Sequence, residues 1–153
     1  MTRAGAARWT EWALRLSLAT AFLSPVGDRL GAWGPPGSHA SWGDWHHFRI
    51  YADQLNWYMP VGLQPAAAVL ATAGEAIFAI ALITGLRLRE AAIGSGVLLA
   101  IFGISMALTL GMKAPLDYSV FTAAAAAFSL AVMAADHKQE IREVGNHEST
   151  VEL

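Results

Sequence analysis

The sequence has no cysteine and little charge. Among its 153 residues, 14% are charged and 55% are hydrophobic. Without cysteine the chain can form no disulfide bond, thiolate metal site or catalytic thiol. So few charged side chains are not enough to cover the surface of an ordinary soluble domain of this size. We therefore expect a membrane protein with several spans.

Basic character is also scarce. The formal net charge is −2, and no cluster of lysine and arginine is placed to follow a row of phosphates. We therefore do not expect nucleic acid as a partner. The expected partner is the lipid bilayer.

The longest apolar run covers residues 61–86 and contains one carboxylate, Glu75, near its middle. At about 1.5 Å per residue, a helix of this length exceeds the hydrocarbon core of a bilayer, which is about 30 Å thick. Helical spacing places Glu75 on a stripe of small and polar residues that includes Gln64 and Thr72. We expect this stripe to face other helices rather than lipid.

Three further apolar segments predict an all-α fold, a four-helix transmembrane bundle. The predicted spans cover residues 12–30, 61–86, 91–112 and 116–135 of a single membrane domain, residues 1–135. Pro25 and Gly27 are expected to kink or end the first helix near its far side. Residues 136–153 are expected to form a frayed polar tail in the cytoplasm.

The third span carries small residues at spacings of three and four. This pattern predicts a face for close helix contact. Its members are Gly96, Ala100, Gly103, Ala107 and Gly111.

A polar, aromatic connection, residues 31–60, joins the first two spans. From Ser41 onward a helical period places Trp42, Phe48 and Ala52 on one side. The pattern predicts an extracytoplasmic amphipathic helix that lies at the membrane interface and caps the bundle.

Lysine and arginine near the spans predict the orientation. One side would carry Arg3, Arg8, Arg87, Arg89, Lys138 and Arg142, and the other Arg29, Arg49 and Lys113. The excess on the first side predicts that both termini lie in the cytoplasm.

A candidate polar site inside the bundle is formed by Arg15, Glu75, Thr72 and Gln64. Arg15, in the first span, is the cation expected to reach Glu75. Two interpretations stay open. The pair is a structural ion pair that fixes the first helix against the second, or the site handles protons or anchors a quinone-like ligand.

A second polar group is expected at the outer interface, where Asp28, Arg29, Lys113, Asp117 and Tyr118 would lie. These residues form the mouth of a ligand site, or Asp117 caps the last helix and the others are solvated anchors.

The histidines do not predict a metal site. His39, Asp44, His46 and His47 are close in sequence, but neighbouring side chains on a helix point about 100° apart. No histidine pair lies inside a span to hold haem, so no intrinsic redox cofactor is expected.

Several motifs resemble the DoxX/DoxD-like family of small bacterial four-helix membrane proteins. They are Arg15 in the first span, Gly27 near its outer end, Glu75 followed by Leu82 and Gly85-Leu-Arg-Leu-Arg, and the Lys113-Ala-Pro-Leu-Asp-Tyr-Ser segment. The resemblance covers about residues 12–135. It implies a four-helix bundle in the bacterial cytoplasmic (inner) membrane. Some relatives are membrane subunits linked to thiosulfate:quinone oxidoreduction.

Two functions follow as expectations. The first is an accessory oxidoreductase subunit, rather than a stand-alone enzyme, that binds a quinone or another small apolar ligand for a redox partner. The alternative is a non-catalytic scaffold or assembly protein, in which Arg15 and Glu75 form a structural pair. A redox protein or a second copy of the chain would be the protein partner. No catalytic residue can be named from the sequence.

Overall fold

Six helices form the part of the chain that this computed structural model describes, namely the backbone of residues 2–151 and the side chains of residue 2 and residues 5–135. In order they are α1 (Arg3–Arg29), α2 (Trp45–Leu55), α3 (Gln64–Thr84), α4 (Leu88–Leu110), α5 (Lys113–Asp117) and α6 (Val120–Val151). No β-strand occurs in the described residues. The predicted all-α class is therefore confirmed.

Two of these helices, α3 and α4, are long and apolar enough to cross a membrane by length and composition. The apolar part of α6, Val120–Ala135, is shorter. Among the described residues, α1 does not belong to this set. Helix α1 has 27 residues. After its first residue, five of them are charged: Arg8, Glu11, Arg15, Asp28 and Arg29.

Helix α1 is longer than the predicted first span. It begins at Arg3, where the Thr2 hydroxyl caps the helix by accepting a hydrogen bond from the Gly5 amide, and it continues through Pro25 to Arg29. The helix thus ends within one residue of the predicted end of the first span, residue 30, and Pro25 lies inside it. Asp28 and Arg29, in the turn after Pro25, make buried polar contacts. These contacts outweigh the backbone hydrogen bond that proline removes.

The α3–α4 connection, residues 85–87, is a tight turn. Gly85 ends α3 with φ of 76°, and Arg87 precedes α4 with φ of 45°. A Cβ atom on Gly85 would lie 2.9 Å from the Nη2 atom of Arg15. Glycine is thus required here both for the left-handed backbone and for the close approach of that side chain.

The main core lies between four helices, α1, α3, α4 and α6. Most of its residues are leucine and alanine, which allow the helices to approach closely. Its buried members are Leu18, Ala19, Phe22, Ala79, Leu82, Ala92, Leu99, Ala124, Ala127, Leu130 and Ala131.

Helices α4 and α6 make the most extensive helix–helix contact. A Cβ atom on Gly96 would lie 2.7 Å from the Phe128 ring, and one on Gly103 would lie 2.6 Å from the Phe121 ring. The predicted close contact is confirmed at these two positions of the small-residue stripe. Gly111 instead ends α4, and a Cβ atom on it would meet nothing within 4 Å.

Helix α2 confirms the amphipathic helix that was predicted in the connection between α1 and α3. Phe48 and Ala52 are buried together with Ala68 of α3, and Trp42 packs against them. The apolar face of α2 therefore contacts the protein, and its position at the membrane interface stays a prediction.

The last predicted span, residues 116–135, is divided differently. Helix α5 ends at Asp117, and α6 starts at Val120 after Ser119, which has φ of 54°. Asp117 consequently does not cap the last long helix. The α6 backbone is helical as far as Val151 and so includes most of the predicted tail, residues 136–153. The side chains after residue 135 and residues 152–153 lie outside the described part.

The connection before α2 generates a stability prediction. Gly37 and Gly43 both have positive φ, 86° and 74°, but a Cβ atom on Gly37 would meet nothing, whereas one on Gly43 would lie 2.4 Å from the Pro36 nitrogen. Gly37→Ala should lower the free energy of unfolding by about 1 kcal/mol through backbone strain alone. Gly43→Ala should lower the free energy of unfolding by roughly 1–3 kcal/mol more than Gly37→Ala does, because backbone atoms near residue 43 must move. Equal losses in denaturation experiments would contradict the close backbone contact.

Candidate functional site

The centre of the candidate site is an ion pair between Arg29 and Glu75, each with only 4% of its side chain exposed. The Nη2 atom of Arg29 donates to Oε1 of Glu75 at 3.1 Å, and Nη1 donates to Oε2. Nη1 also donates to the Thr72 hydroxyl at 2.6 Å. Two parallel N–H···O bonds are the strongest arrangement that an arginine and a carboxylate adopt.

Helix α1 places Arg29 where it meets α3. Arg15, Phe22 and Arg29 are separated by seven residues each, so all three lie along one side of α1. Phe22 is in the core between α1 and α3, and the two arginines contact α3 on either side of it. Because α1 remains helical beyond Pro25, Arg29 is directed at Glu75 rather than at solvent.

Aromatic rings from the α2 region cover the guanidinium group of Arg29. The Arg29 Cζ atom lies 3.8 Å from the centre of the Phe48 ring and 5.4 Å from that of Trp42. The two rings meet edge to face, with centroids 5.2 Å apart. A cation on an aromatic face in a desolvated place is favourable, so Phe48 contributes more than apolar cover.

One donor of this group has no acceptor. The Nε atom of Arg29 is buried and has no hydrogen-bond partner among the described residues. An unpaired buried donor costs free energy because it has given up its bond to water. An acceptor oxygen brought to this atom would remove that cost.

Asp28, the residue before Arg29, holds the polypeptide that leads into α2. Its carboxylate accepts hydrogen bonds from the backbone amides of Ser41, Trp42 and Gly43 at 2.9, 3.0 and 3.2 Å. The side chain is buried, and these three donors compensate for its lost hydration. Adjacent residues of α1 thus bind two different elements, α3 through Arg29 and the α2 region through Asp28.

The predicted pair of Arg15 and Glu75 is wrong. Arg15 donates through Nε to the Leu82 carbonyl at 2.8 Å and through Nη2 to the Ile83 carbonyl at 2.9 Å. It also contacts Glu11, at 3.2 Å. The last carbonyl groups of a helix have no partner within it and carry partial negative charge, so they suit an arginine. Arg15 therefore binds the end of α3, and Glu75 lies more than a helical turn away.

Of the remaining predicted polar residues, Thr72 joins the ion pair and Gln64 does not. The Gln64 side-chain amide donates to the carbonyls of Asn56 and Met59, both at 3.2 Å. Gln64 stands at the first position of α3, about 16 Å along the axis from Glu75. Its role is to hold the segment that enters α3.

The predicted outer mouth is not assembled as one group. Asp28 and Arg29 are buried with the partners given above. Lys113 and Asp117 form an exposed pair with each other along α5, and Tyr118 is 75% exposed. No hydrogen bond or ion pair joins the two sets among the described residues.

Asp44 and His47 form a local contact at the start of α2. The Asp44 carboxylate accepts from the His47 amide at 2.8 Å and contacts the ring Nδ1 at 2.9 Å. The hydrogen bond from the His47 amide is the main reason why the pKa of Asp44 lies below its usual value. Within the described part of the chain, no three histidine, aspartate or glutamate side chains group closely enough to hold a metal ion.

Sequence reasoning misplaced the role of Arg29 and missed that of Asp28. The signal for Arg29 was present as the seven-residue spacing from Arg15 through Phe22. It was not used, because Arg29 was assigned together with Asp28 to the outer interface. For Asp28 no local signal existed, since its three donors lie 13 to 15 residues later in the chain.

Comparison with known proteins finds no relative. No family model matches the sequence, and neither the curated proteins nor the solved structures include a significant match. The resemblance to DoxX-like proteins accordingly stays a prediction.

A double-mutant cycle tests the ion pair. Glu75→Leu alone should lower the free energy of unfolding by about 3–5 kcal/mol, because Arg29 would remain buried without a counter-charge. Adding Arg29→Met removes the second charge, so the double variant should lose much less than the sum of the single losses. Unfolding in detergent micelles, followed by circular dichroism, measures these energies.

Arg15 provides the matched control for this cycle. Arg15→Ala should destabilise the protein because the carbonyls of Leu82 and Ile83 lose their donor. Its effect should add to that of Glu75→Leu within about 0.5 kcal/mol, since the two residues share no contact. Coupling of several kcal/mol between Arg15 and Glu75 would contradict the geometry described here.

Proposed function

We propose that the chain is an integral membrane protein of the DoxX-like type, with α1, α3, α4 and the apolar part of α6 as four spans, and that it acts as a non-catalytic scaffold or assembly protein. The ion pair of Arg29 and Glu75 takes the structural role that the sequence suggested for Arg15 and Glu75. The lipid bilayer is its first partner, in the bacterial cytoplasmic membrane. A second copy or a redox protein is the partner that it would assemble.

The main support is that, among the described residues, each buried charged side chain is bonded within the chain. Arg29 pairs with Glu75, Arg15 binds the end of α3, and Asp28 accepts three backbone amides. Such an arrangement tolerates a low-dielectric surrounding, because each of these buried charges has a partner.

The outer surface of the four helices supports the membrane part of the proposal. Large aliphatic and aromatic residues are exposed along all four. They are Leu16 and Leu23 of α1, Leu70, Ile77 and Ile80 of α3, Ile93, Val97, Ile101, Ile104 and Leu108 of α4, and Phe128 and Val132 of α6. An apolar surface of this extent suits lipid.

Hydroxyl groups on these helices are also suited to a bilayer. Several of them donate to the carbonyl four residues earlier in their own helix, so that they need no water. They are Thr20, Thr72, Thr84, Ser95 and Ser129.

A second candidate function is the binding of a quinone or another small apolar ligand for a redox partner. One observation favours it, namely the unpaired Nε atom of Arg29 beside the rings of Phe48 and Trp42. A carbonyl oxygen could accept from this donor, and the rings could contact a flat ligand.

Cysteine labelling tests the membrane topology, because the natural chain has no cysteine of its own. Tyr118→Cys lies in the connection between α5 and α6, and Leu86→Cys lies in the α3–α4 turn; both native side chains are exposed. A maleimide that cannot cross membranes should label the first variant in intact cells. It should label the second only after permeabilisation. Equal labelling of both in intact cells would contradict the four-span topology with cytoplasmic termini.

Mass spectrometry of small molecules extracted from the purified protein separates the two functions. Wild type, Glu75→Gln and the control Glu90→Gln, which makes the same change at an exposed position of α4, are compared after purification with native lipids. If the protein is a scaffold, none of the three preparations should contain a small molecule in a stoichiometric amount. A quinone retained by wild type and Glu90→Gln but lost from folded Glu75→Gln would support the ligand-binding function instead.

A further inference from the structure

We infer that residues 41–56, α2 with its flanking residues, form a lid over the ion pair of Arg29 and Glu75, and that Asp28 is the latch that keeps the lid closed. This lid can open while the four long helices remain folded. The inference concerns a movement within the fold and holds for either function proposed above.

The lid contacts α1, α3 and α4, but its buried apolar contact is small. It consists mainly of Phe48 and Ala52, which pack with Ala68 of α3. The main core contains no residue of the lid, because all its buried members belong to α1, α3, α4 and α6. Separation of the lid would therefore leave the packing of the long helices in place.

The latch lies at the start of the lid. The three amides that donate to Asp28 belong to Ser41, Trp42 and Gly43, immediately before α2. These bonds involve a charged acceptor and are among the stronger ones in the protein. The far end of the lid is held more weakly, by the Thr109 hydroxyl, which donates to the Leu55 carbonyl at 3.4 Å, and by Gln64.

Both connections of the lid allow movement. On one side, Gly31, Gly34 and Gly37 all have positive φ, which glycine adopts without strain. On the other side, residues 57–63 form turns rather than a helix. Segments of this kind absorb changes in backbone angles when a small element moves against a rigid one.

The closed lid leaves one donor unsatisfied, and opening satisfies it. Phe48 covers the guanidinium of Arg29, whose Nε atom has no acceptor in the closed arrangement. When Phe48 moves away, water or an acceptor oxygen can reach this atom. The free-energy cost of breaking the apolar contact is thereby partly offset. The free energy of local opening therefore stays well below that of global unfolding.

The test uses single reporter cysteines in the full-length chain, reconstituted in lipid nanodiscs. Ala68→Cys lies beneath the lid, Ala79→Cys lies in the main core on the same helix, and Tyr118→Cys is exposed; the native residues are 1%, 0% and 75% exposed. Each reporter is combined with Asp28→Asn, which removes the charge of the latch. The control is Asp44→Asn, which makes the same change on the lid itself while keeping a good helix cap.

We expect Asp28→Asn to raise the rate of maleimide labelling at Ala68→Cys by about tenfold or more, because the rate follows the open population. Labelling at Ala79→Cys should stay negligible, labelling at Tyr118→Cys should not change, and Asp44→Asn should leave all three rates unaltered. A parallel increase at Ala68→Cys and Ala79→Cys would show global loosening and overturn the lid. No change at either would overturn the role of Asp28 as the latch.

Hydrogen exchange of the unsubstituted protein provides a second measurement in case the Asp28 variant does not fold. The amides of α2 should exchange together and faster than those in the middle of α3 and α4. Exchange of α2 at the same rate as the long helices would mean that the lid opens only when the whole protein unfolds, which would overturn the proposal.

Discussion

The pairing of Arg29 with Glu75 is the constraint on which the rest of this structure depends. A carboxylate in the middle of an apolar helix needs a partner, because an uncompensated buried charge is very unfavourable. Supplying that partner requires α1 to remain helical to Arg29 and to pack closely along α3. The arginine in turn needs cover on its exposed face, which Phe48 provides. The position of α2 thus depends on the charge of Arg29, which belongs to α1.

Two arginines on one side of α1 attach it to α3 by different chemistry. Arg29 uses a side-chain carboxylate, whereas Arg15 uses the free carbonyls of Leu82 and Ile83 at the end of the helix. Between these two arginines, α1 and α3 contact each other through apolar residues such as Phe22 and Ala79. Polar contacts at both ends set the alignment of the two helices, and the apolar contact between them supplies the area. Gly85 is needed because Arg15 occupies the space that a side chain would fill.

Much of the fold could be predicted from local patterns. Apolar run lengths identified α3 and α4, and glycine spacing on the third span identified part of its contact with α6. Glu75 and Thr72 were expected to face other helices, and they do. The partner of Glu75 could not be chosen by the same means, because the choice depends on the alignment of two helices that are distant in sequence. Arg15 and Arg29 lie about four turns apart on α1, and the alignment of α1 with α3 decides which of them reaches Glu75.

The sequence by itself determined the helical class, the two long apolar helices, the amphipathic character of α2 and the need for a cation at Glu75. These properties depend on periodicity and composition, which act over a few turns of one helix. The tertiary structure alone decided that Arg29 meets Glu75, that Arg15 binds the end of α3 and that Asp28 gathers the amides before α2. The reason is physical. A buried charge selects its partner from whatever the packing brings within about 3 Å, and that selection joins residues that no local pattern connects.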